Sequence, residues 1–234
     1  IPDTKMPFLP EITDVDQIQD YLRQVLGNRI PDIGNYTLQS ADLIRHKPGR
    51  RALVEYTFYR QSDDTDGASL TFIGKARANG PDMRTWNLNR ALFEQGFCSD
   101  FGDNIEIPEP VGVGTEYRMW LQRKVAGVNP FNGLVQAPDN KLAKRIAGAI
   151  FKLHSGAVPI ARDHTIQDEL AILERALDNV AMARPEWRER LGAIKGQSRK
   201  LAATIPEAVN RCLHRDFYHD QLLIDGDKTF LLDL

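Results

Sequence analysis

Cysteine, net charge and long apolar segments are all scarce in this sequence, and each scarcity excludes a class of protein. The chain has two cysteines, Cys98 and Cys212, and neither has the spacing of a zinc site or a disulfide framework. We therefore expect a reduced, cytoplasmic protein. A net charge of −2 gives no indication of a nucleic-acid partner. No apolar run approaches the length of a membrane span, so no membrane partner is expected either.

What the sequence does contain is typical of an ordinary folded domain. Of its 234 residues, 42% are hydrophobic and 26% are charged. This length suffices for one large domain or for two small lobes that share a cleft. Because the chain starts at Ile1 without a methionine and stops at Leu234, we expect it to be a portion of a longer protein.

The apolar periodicity changes along the chain from mixed strand and helix to helix alone. Helices are predicted at 13–27, 83–97, 139–155, 165–183 and 186–209, with Pro185 and Gly196 as the interruptions around the last one. Strands are predicted at 36–46, 51–60, 68–77, 107–113 and 116–125, with a turn in VGVGTE, around GVG at 112–114, between the last two. Asp225 and Gly226 then predict the turn of a final hairpin. This order indicates an α+β protein with two lobes, 1–125 and 126–234.

The most informative segment is HRDFYHDQ at 214–221, followed by LLIDGDKTFLLDL. Phosphoryl transfer from a nucleotide needs a carboxylate that deprotonates the attacking hydroxyl and oxygen ligands that hold Mg²⁺ on the phosphates. Asp216 is the candidate base, and Gln221 and Asp233 are the candidate magnesium ligands. The alternative is structural: Asp216 caps a turn, and Asp233 is a surface residue of an edge strand.

A kinase also needs a cation on the nucleotide phosphates. Lys75 lies in the apolar segment LTFIGKARA on the third predicted strand. A lysine inside such a strand is costly unless it meets an anion, which favours a phosphate-binding role. A lysine on the exposed face of the strand is the alternative.

These segments together resemble the aminoglycoside phosphotransferase family, small-molecule relatives of the protein kinases. The resemblance covers nearly the whole chain through FIGK, MWLQRKVAG, IAGAIFKLH, HRDFYHDQ and FLLDL. It implies a bilobal kinase-like fold, with an antiparallel sheet and one helix in the first lobe and a mainly helical second lobe that continues past the metal-binding hairpin. It also implies ATP or GTP in the cleft, its base on the backbone of Gln122, Arg123 and Val125, and Mg²⁺ at Gln221 and Asp233.

Three departures from the family pattern bear on the site. The metal-binding amide is usually Asn, whereas here it is Gln221, whose carbonyl can still bind magnesium. A glycine-rich phosphate loop is absent, and Lys47, Arg50 and Arg51 around the turn KPGR are the candidate phosphate contacts, with a solvated hairpin tip as the alternative. The helix glutamate that would orient Lys75 has one candidate, Glu94, which a solvent-facing position would explain equally well.

The sequence thus predicts a magnesium-dependent small-molecule kinase that moves the γ-phosphoryl group of ATP or GTP to a hydroxyl. The sequence does not distinguish among an aminoglycoside, a sugar and another metabolite as the acceptor. A protein kinase is disfavoured by the 141-residue separation of Lys75 and Asp216 and by the missing glycine-rich loop. A kinase-like nucleotide-binding or scaffold module with impaired catalysis remains the alternative.

Overall fold

The computed structural model describes residues 3–60, 68–136, 140–156, 164–206, 213–214 and 216–234. The chain divides into two units, one formed by 1–159 with 213–234 and the other by 160–212. The predicted lobe boundary at 125/126 falls inside the first unit and stays a prediction.

Strands and helices follow the predicted order closely, with short additional elements. The helices are α1 (Leu9–Ile12), α2 (Val15–Leu26), α3 (Met83–Glu94), α4 (Phe131–Gln136), α5 (Asn140–Ser155), α6 (Ile166–Ala183) and α7 (Arg188–Ala202). The strands are β1 (Tyr36–Lys47), β2 (Arg51–Arg60), β3 (Ser69–Arg77), β4 (Ile105–Glu106), β5 (Pro110–Gly114), β6 (Met119–Arg123), β7 (Leu222–Asp225) and β8 (Lys228–Leu231). The α+β class is confirmed. The short elements α1, α4 and β4 were not predicted.

The larger sheet has the order β1-β2-β3-β6-β5, with antiparallel neighbours throughout. Side chains alternate between its two faces, because successive residues of a strand point in opposite directions. On β2 the buried residues are Ala52, Val54, Tyr56 and Phe58. They belong to the same apolar cluster as the buried residues of α1 and α2. The N-terminal helices therefore cover one face of the sheet, and the residues between these positions lie on the other face.

Helix α2 is the main cover of the apolar face, and local sequence determines where it begins. The Asp14 side chain accepts hydrogen bonds from the backbone N–H groups of Asp16 and Gln17, so it caps the helix. Ile18, Leu22 and the last residue of the helix, at a helical spacing, are fully buried. The predicted helix at 13–27 is confirmed.

Two glycines of β5 allow α2 to approach the sheet. A Cβ atom at Gly112 would lie 2.6 Å from Val25 Cγ1 and 2.9 Å from the Val25 carbonyl oxygen, and one at Gly114 would lie 1.9 Å from the Tyr21 hydroxyl. The sequence pattern predicted a turn at this GVG, and the structure corrects that: both glycines are strand residues. They are needed for helix packing and not for a turn.

The smaller sheet positions the end of the chain. Its order is β4-β8-β7, with β7 and β8 forming the predicted hairpin. The segment after β6 is attached to this hairpin, because Val128 and Ile224 exchange two backbone hydrogen bonds of 2.9 Å. Gly127 lies so close that a Cβ atom there would be 2.9 Å from the Ile224 carbonyl oxygen.

The second unit contains α6 and α7, which are joined by a 3₁₀ turn at Pro185–Trp187. Ion pairs link the two helices, with Arg199 Nε at 2.6 Å from Glu174 Oε1 and Lys195 bound to Asp178. The predicted break at Gly196 is wrong, since α7 runs through it. No helix in the described part of the chain combines the length and the apolar character needed to cross a membrane.

The N-terminal segment is fastened to the turn between β1 and β2 by one carboxylate. Asp3 Oδ2 accepts from the Gly49 N–H at 2.7 Å and from His46 Nε2 at 2.8 Å, while Oδ1 accepts from the N–H groups of Lys5 and Met6. The hydrogen bond from Gly49, opposed by burial and aided by the other donors, lowers the pKa of Asp3 to about 2. We refer to Asp3, His46 and Gly49 as the N-terminal clasp.

Gly112→Ala tests the close packing of α2. The added methyl group has no space, so we expect a loss of about 1–3 kcal/mol in the free energy of unfolding. The measurement is thermal and denaturant unfolding followed by circular dichroism. Gly148→Ala on α5 is the matched control, because its Cβ atom would be 3.9 Å from the nearest neighbour and the helix favours alanine. Equal stability of the two variants would contradict the packing.

Asp3→Asn tests the N-terminal clasp. Because the folded-state pKa of about 2 is below the ordinary value of 3.8, the carboxylate stabilises the fold fully above about pH 4 and loses this effect as the pH falls toward 2. We therefore expect the variant to melt at a lower temperature at pH 7, with a smaller further decrease on acidification. Asp42→Asn, at an exposed position of β1, is the control. Identical acid dependence of Asp3→Asn and the parent would overturn the assignment.

Candidate active site

A cavity of about 350 Å³ lies on the face of the large sheet opposite α2. It is lined by residues of β1, β2, β3, β6 and α3 and of the catalytic segment: Arg45, Lys47, Arg51, Ala52, Leu53, Lys75, Ala76, Arg77, Thr85, Trp120, Asp216, Tyr218, Gln221, Asp233 and Leu234. The structure therefore gathers Lys75, Asp216, Gln221 and Asp233 around one space, although up to 158 residues separate them. The roles predicted for these four residues stay a prediction.

Lys75 and Asp233 form the central contact of the cavity. Lys75 Nζ donates to Asp233 Oδ1 at 2.9 Å, and it also lies 4.8 Å from the centre of the Trp120 ring. Trp120 is 1% exposed and directly opposite Lys75 in the β3–β6 ladder. The ammonium is thus held between a carboxylate and an aromatic face, both of which favour a cation.

The Asp233 carboxylate is ionised by its surroundings. Burial raises its pKa, but the ammonium of Lys75, together with the charge of Arg51, outweighs that effect and holds the pKa below its ordinary value. Asp233 follows β8 with a left-handed backbone, φ +51°, and its side chain is 57% exposed toward the cavity side. An ionised, accessible carboxylate is the form that binds a metal cation.

The loop that carries Asp216 is braced against the hairpin. His214 Nε2 donates to the Leu232 carbonyl at 2.9 Å, and the Leu232 N–H donates to the Gln221 carbonyl at 2.9 Å. These bonds hold the two ends of the catalytic segment next to each other, with Asp216 exposed and Gln221 buried. Arg215, the middle residue of HRD, lies outside the described residues.

Asn129 ties the segment after β6 to the same loop, and nothing in the sequence pattern singled it out. Its Nδ2 donates to Asp220 Oδ1 at 2.6 Å, and its Oδ1 accepts from the Phe131 N–H at 2.9 Å. His219 Nδ1 also contacts Asp220, at 2.9 Å. Asn129 and His219 therefore both hold the Asp220 carboxylate of this loop in place.

Glu94 is not brought to Lys75. It lies at the end of α3, where its carboxylate contacts Arg90 at 3.2 Å and Arg29 at 3.5 Å, with 52% of the side chain exposed. The structure corrects the expected role of Glu94 as a nucleotide-site residue, since Lys75 has Asp233 as its acidic partner. The physical reason is position: the last turn of α3 directs Glu94 toward Arg29, in the segment that follows α2.

The basic residues of the first hairpin divide between two sides. Lys47 and Arg51, two of the candidate phosphate contacts, line the cavity, and Arg45, which was not a candidate, lines it with them. Arg50 is exposed at the turn and does not belong to the described residues that line the cavity. The strand register indicates Arg45, because Arg45 and Lys75 both pair with Leu53 and therefore lie on the same face of the sheet.

The predicted base-binding segment follows directly after the sheet. Gln122 and Arg123 are the last residues of β6, and the N–H groups of Arg123 and Lys124 are bonded to the carbonyls of Glu109 and Thr71 at 2.8 Å. Those two amides are therefore used by the backbone, and a base contact in this segment stays a prediction. None of Gln122, Arg123 and Val125 is among the described residues that line the cavity.

The donor set in the cavity fits magnesium. Mg²⁺ prefers oxygen ligands, keeps several waters and is often bound by one or two carboxylates together with substrate phosphates. Asp233 supplies an ionised carboxylate, and Gln221 supplies an amide oxygen at the same cavity. No group of three or more His, Cys, Asp or Glu side chains able to hold a metal occurs in the part of the chain that the structure describes. Gln221 and Asp233, completed by substrate phosphates, would form a site of the kind that magnesium prefers.

Comparisons with known proteins agree with this geometry. The model of the phosphotransferase enzyme family matches residues 56–234, and no curated protein matches the chain. Among solved structures, the ternary complex of streptomycin, ATP and APH(2")-IIa is similar, with a TM-score of 0.59 and 13% sequence identity over 93% of this chain and 69% of that chain. At that identity the likeness concerns the kinase-like fold. The family match covers most of the chain, from β2 to the catalytic hairpin, and the chain therefore belongs to the phosphotransferase enzyme family.

Proposed function

We propose that this protein binds a nucleoside triphosphate with Mg²⁺ in the cavity and transfers its γ-phosphoryl group to a hydroxyl of a small molecule. The observation that carries the proposal is the Lys75–Asp233 contact of 2.9 Å in a cavity that Asp216 and Gln221 also line. One cavity thus contains a cation for the phosphates (Lys75), a carboxylate for the metal (Asp233) and a second carboxylate for the acceptor hydroxyl (Asp216).

Asp216 is the proposed catalytic base. The acceptor hydroxyl gives its proton to the Asp216 carboxylate as its oxygen forms a bond to the γ-phosphorus. The bond from the γ-phosphorus to the β–γ bridging oxygen breaks at the same time, and the nucleoside diphosphate leaves with that oxygen. The exposed position of Asp216 at the cavity leaves room for an acceptor beside it.

Lys75, Gln221 and Asp233 are the proposed phosphate and metal residues. Magnesium, when bound, neutralises the developing charge on the phosphate oxygens. Gln221 and Asp233 would hold it, and Lys75 would contact a phosphate oxygen from the strand side. Since Lys75 contacts Asp233 at 2.9 Å, its ammonium stands beside the proposed metal ligand.

The nucleotide and the acceptor are proposed only by class. ATP or GTP would have its base near Val125, and an aminoglycoside, a sugar or another metabolite would be the acceptor. The ATP and streptomycin bound in the similar structure support a nucleotide and a small molecule as the two partners.

A nucleotide-binding module with impaired catalysis is the second candidate. Two observations favour it: Gln221 stands where the family usually has Asn, and Glu94 does not support Lys75. On this hypothesis the protein binds a magnesium nucleotide but phosphorylates no acceptor.

Asp216→Asn separates chemistry from binding. Removal of the base should lower the rate of phosphoryl transfer or nucleotide hydrolysis by about 10²- to 10⁴-fold, with nucleotide affinity within about threefold. Transfer from radiolabelled ATP and GTP to a panel of aminoglycosides, sugars and other metabolites measures the first, and calorimetry measures the second. Asp225→Asn, a carboxylate of the same hairpin outside the cavity, is the control and should keep full activity. If the parent binds no nucleotide, the proposed function is wrong.

Gln221 variants decide between the two candidates. Gln221→Ala removes the amide ligand, so the Mg²⁺ concentration for half-maximal turnover should rise about tenfold or more. Gln221→Asn keeps an amide oxygen and should retain turnover. Magnesium titrations of nucleotide turnover provide the measurement. A parent protein without turnover that Gln221→Asn activates would favour the impaired module.

A further inference from the structure

We propose that the side chains of Arg45 and Arg51, with Lys47, form a clamp for the nucleotide's triphosphate and replace the backbone amides of a glycine-rich loop. This inference rests on the proposed function and assigns the phosphate contacts within it. We call these three residues the cationic clamp.

The sheet register puts the cationic clamp on the cavity face. Lys47 is opposite Arg51, and Arg51 is opposite Arg77 on β3, so three cations form a row across three strands. In the next row Arg45 and Lys75 are both opposite Leu53. Directly opposed residues of an antiparallel pair lie on the same face of the sheet, about 5 Å apart at Cβ. All of these cations therefore face the same space.

Like charges at this spacing destabilise a sheet unless an anion lies among them. Among the described residues, Lys75 pairs with Asp233 and Arg77 pairs with Asp82. The cationic clamp forms no ion pair and no side-chain hydrogen bond with any residue in the described ranges. The positive charge of Arg51, followed by that of Arg45, by burial and by the charge of Arg50, lowers the pKa of Lys47. This surplus of charge fits a polyanion.

The turn itself cannot supply the usual backbone donors. Pro48 has no N–H, the Gly49 N–H donates to Asp3 at 2.7 Å, and the Arg50 N–H donates to the Lys47 carbonyl at 3.0 Å. Every turn residue from 48 to 50 is thus without a free amide. The Asp3 carboxylate also occupies the position where an anion would meet the glycine N–H. A phosphate at this hairpin must use side chains.

Arginine suits this task, because its guanidinium can bind two phosphate oxygens at once. Arg51 and Asp233 line the same cavity. The cationic clamp therefore extends toward the proposed metal ligand, where the terminal phosphates would lie. The ligand class is a nucleoside triphosphate, in preference to a nucleoside or monophosphate.

The experiment measures binding and not turnover. Calorimetry with Mg²⁺ and a non-hydrolysable ATP analogue should give a dissociation constant about 10- to 100-fold higher for Arg51→Gln and for Arg45→Gln than for the parent. Arg50→Gln is the matched control, since it removes the same charge from the same hairpin outside the cavity, and it should stay within about threefold. Arg51→Lys keeps the positive charge but lacks the paired N–H donors of the guanidinium, so its dissociation constant should fall between those of the parent and Arg51→Gln. Thermal melts establish that each variant is folded.

Two further probes identify the phosphates as the point of contact. Inorganic triphosphate should compete with the analogue in the parent and at least tenfold less well in Arg51→Gln. The parent's affinity should also fall more steeply with NaCl than that of Arg51→Gln. The proposal of a cationic clamp is wrong if the parent binds the analogue and the dissociation constants of Arg45→Gln and Arg51→Gln equal that of Arg50→Gln. The proposed function would still stand in that case. If the parent does not bind the analogue, both are wrong.

Discussion

The alternation of side chains along β1, β2 and β3 is the constraint on which the rest of this structure depends. One face must bury its apolar residues against α1 and α2, so the residues between them are directed to the opposite face. Lys75 lies between Gly74 and Ala76, both of which are buried on the helix side. The same packing that forms the core therefore presents cations to the cavity, and the site follows from the fold of the sheet.

The contact of Lys75 with Asp233 joins this sheet to the catalytic hairpin. Both groups are charged and one is largely buried, so each reduces the cost of holding the other in place. Trp120 adds an aromatic face beside the Lys75 ammonium. The bonds of His214 and Gln221 to Leu232 then keep Asp216 near the same cavity. A small number of polar contacts thus unites parts of the chain that are distant in sequence.

The regions that sequence reasoning predicted well are those where one local pattern acts alone. The period-two pattern of β1 to β3 and the cap and apolar spacing of α2 required no knowledge of neighbours. Prediction was wrong where contacts with another element determine the local structure. GVG at 112–114 has the residue types of a turn, but its glycines are in a strand, where the absence of a Cβ atom leaves space for Val25 and Tyr21. Glu94 was likewise placed by its order in the chain, whereas its direction depends on the exact turn of α3.

The sequence by itself determined the α+β class, the strand lysine, the catalytic segment and the kinase-like family, because these depend on residue type and spacing. Only the tertiary structure decided which of the hairpin's basic residues face the cavity, that Asp233 is the partner of Lys75, and that Asp3 uses the amide of Gly49. Those outcomes depend on register across strands and on contacts between segments more than 40 residues apart. Such contacts form only when the chain has folded, so no local pattern in the sequence records them.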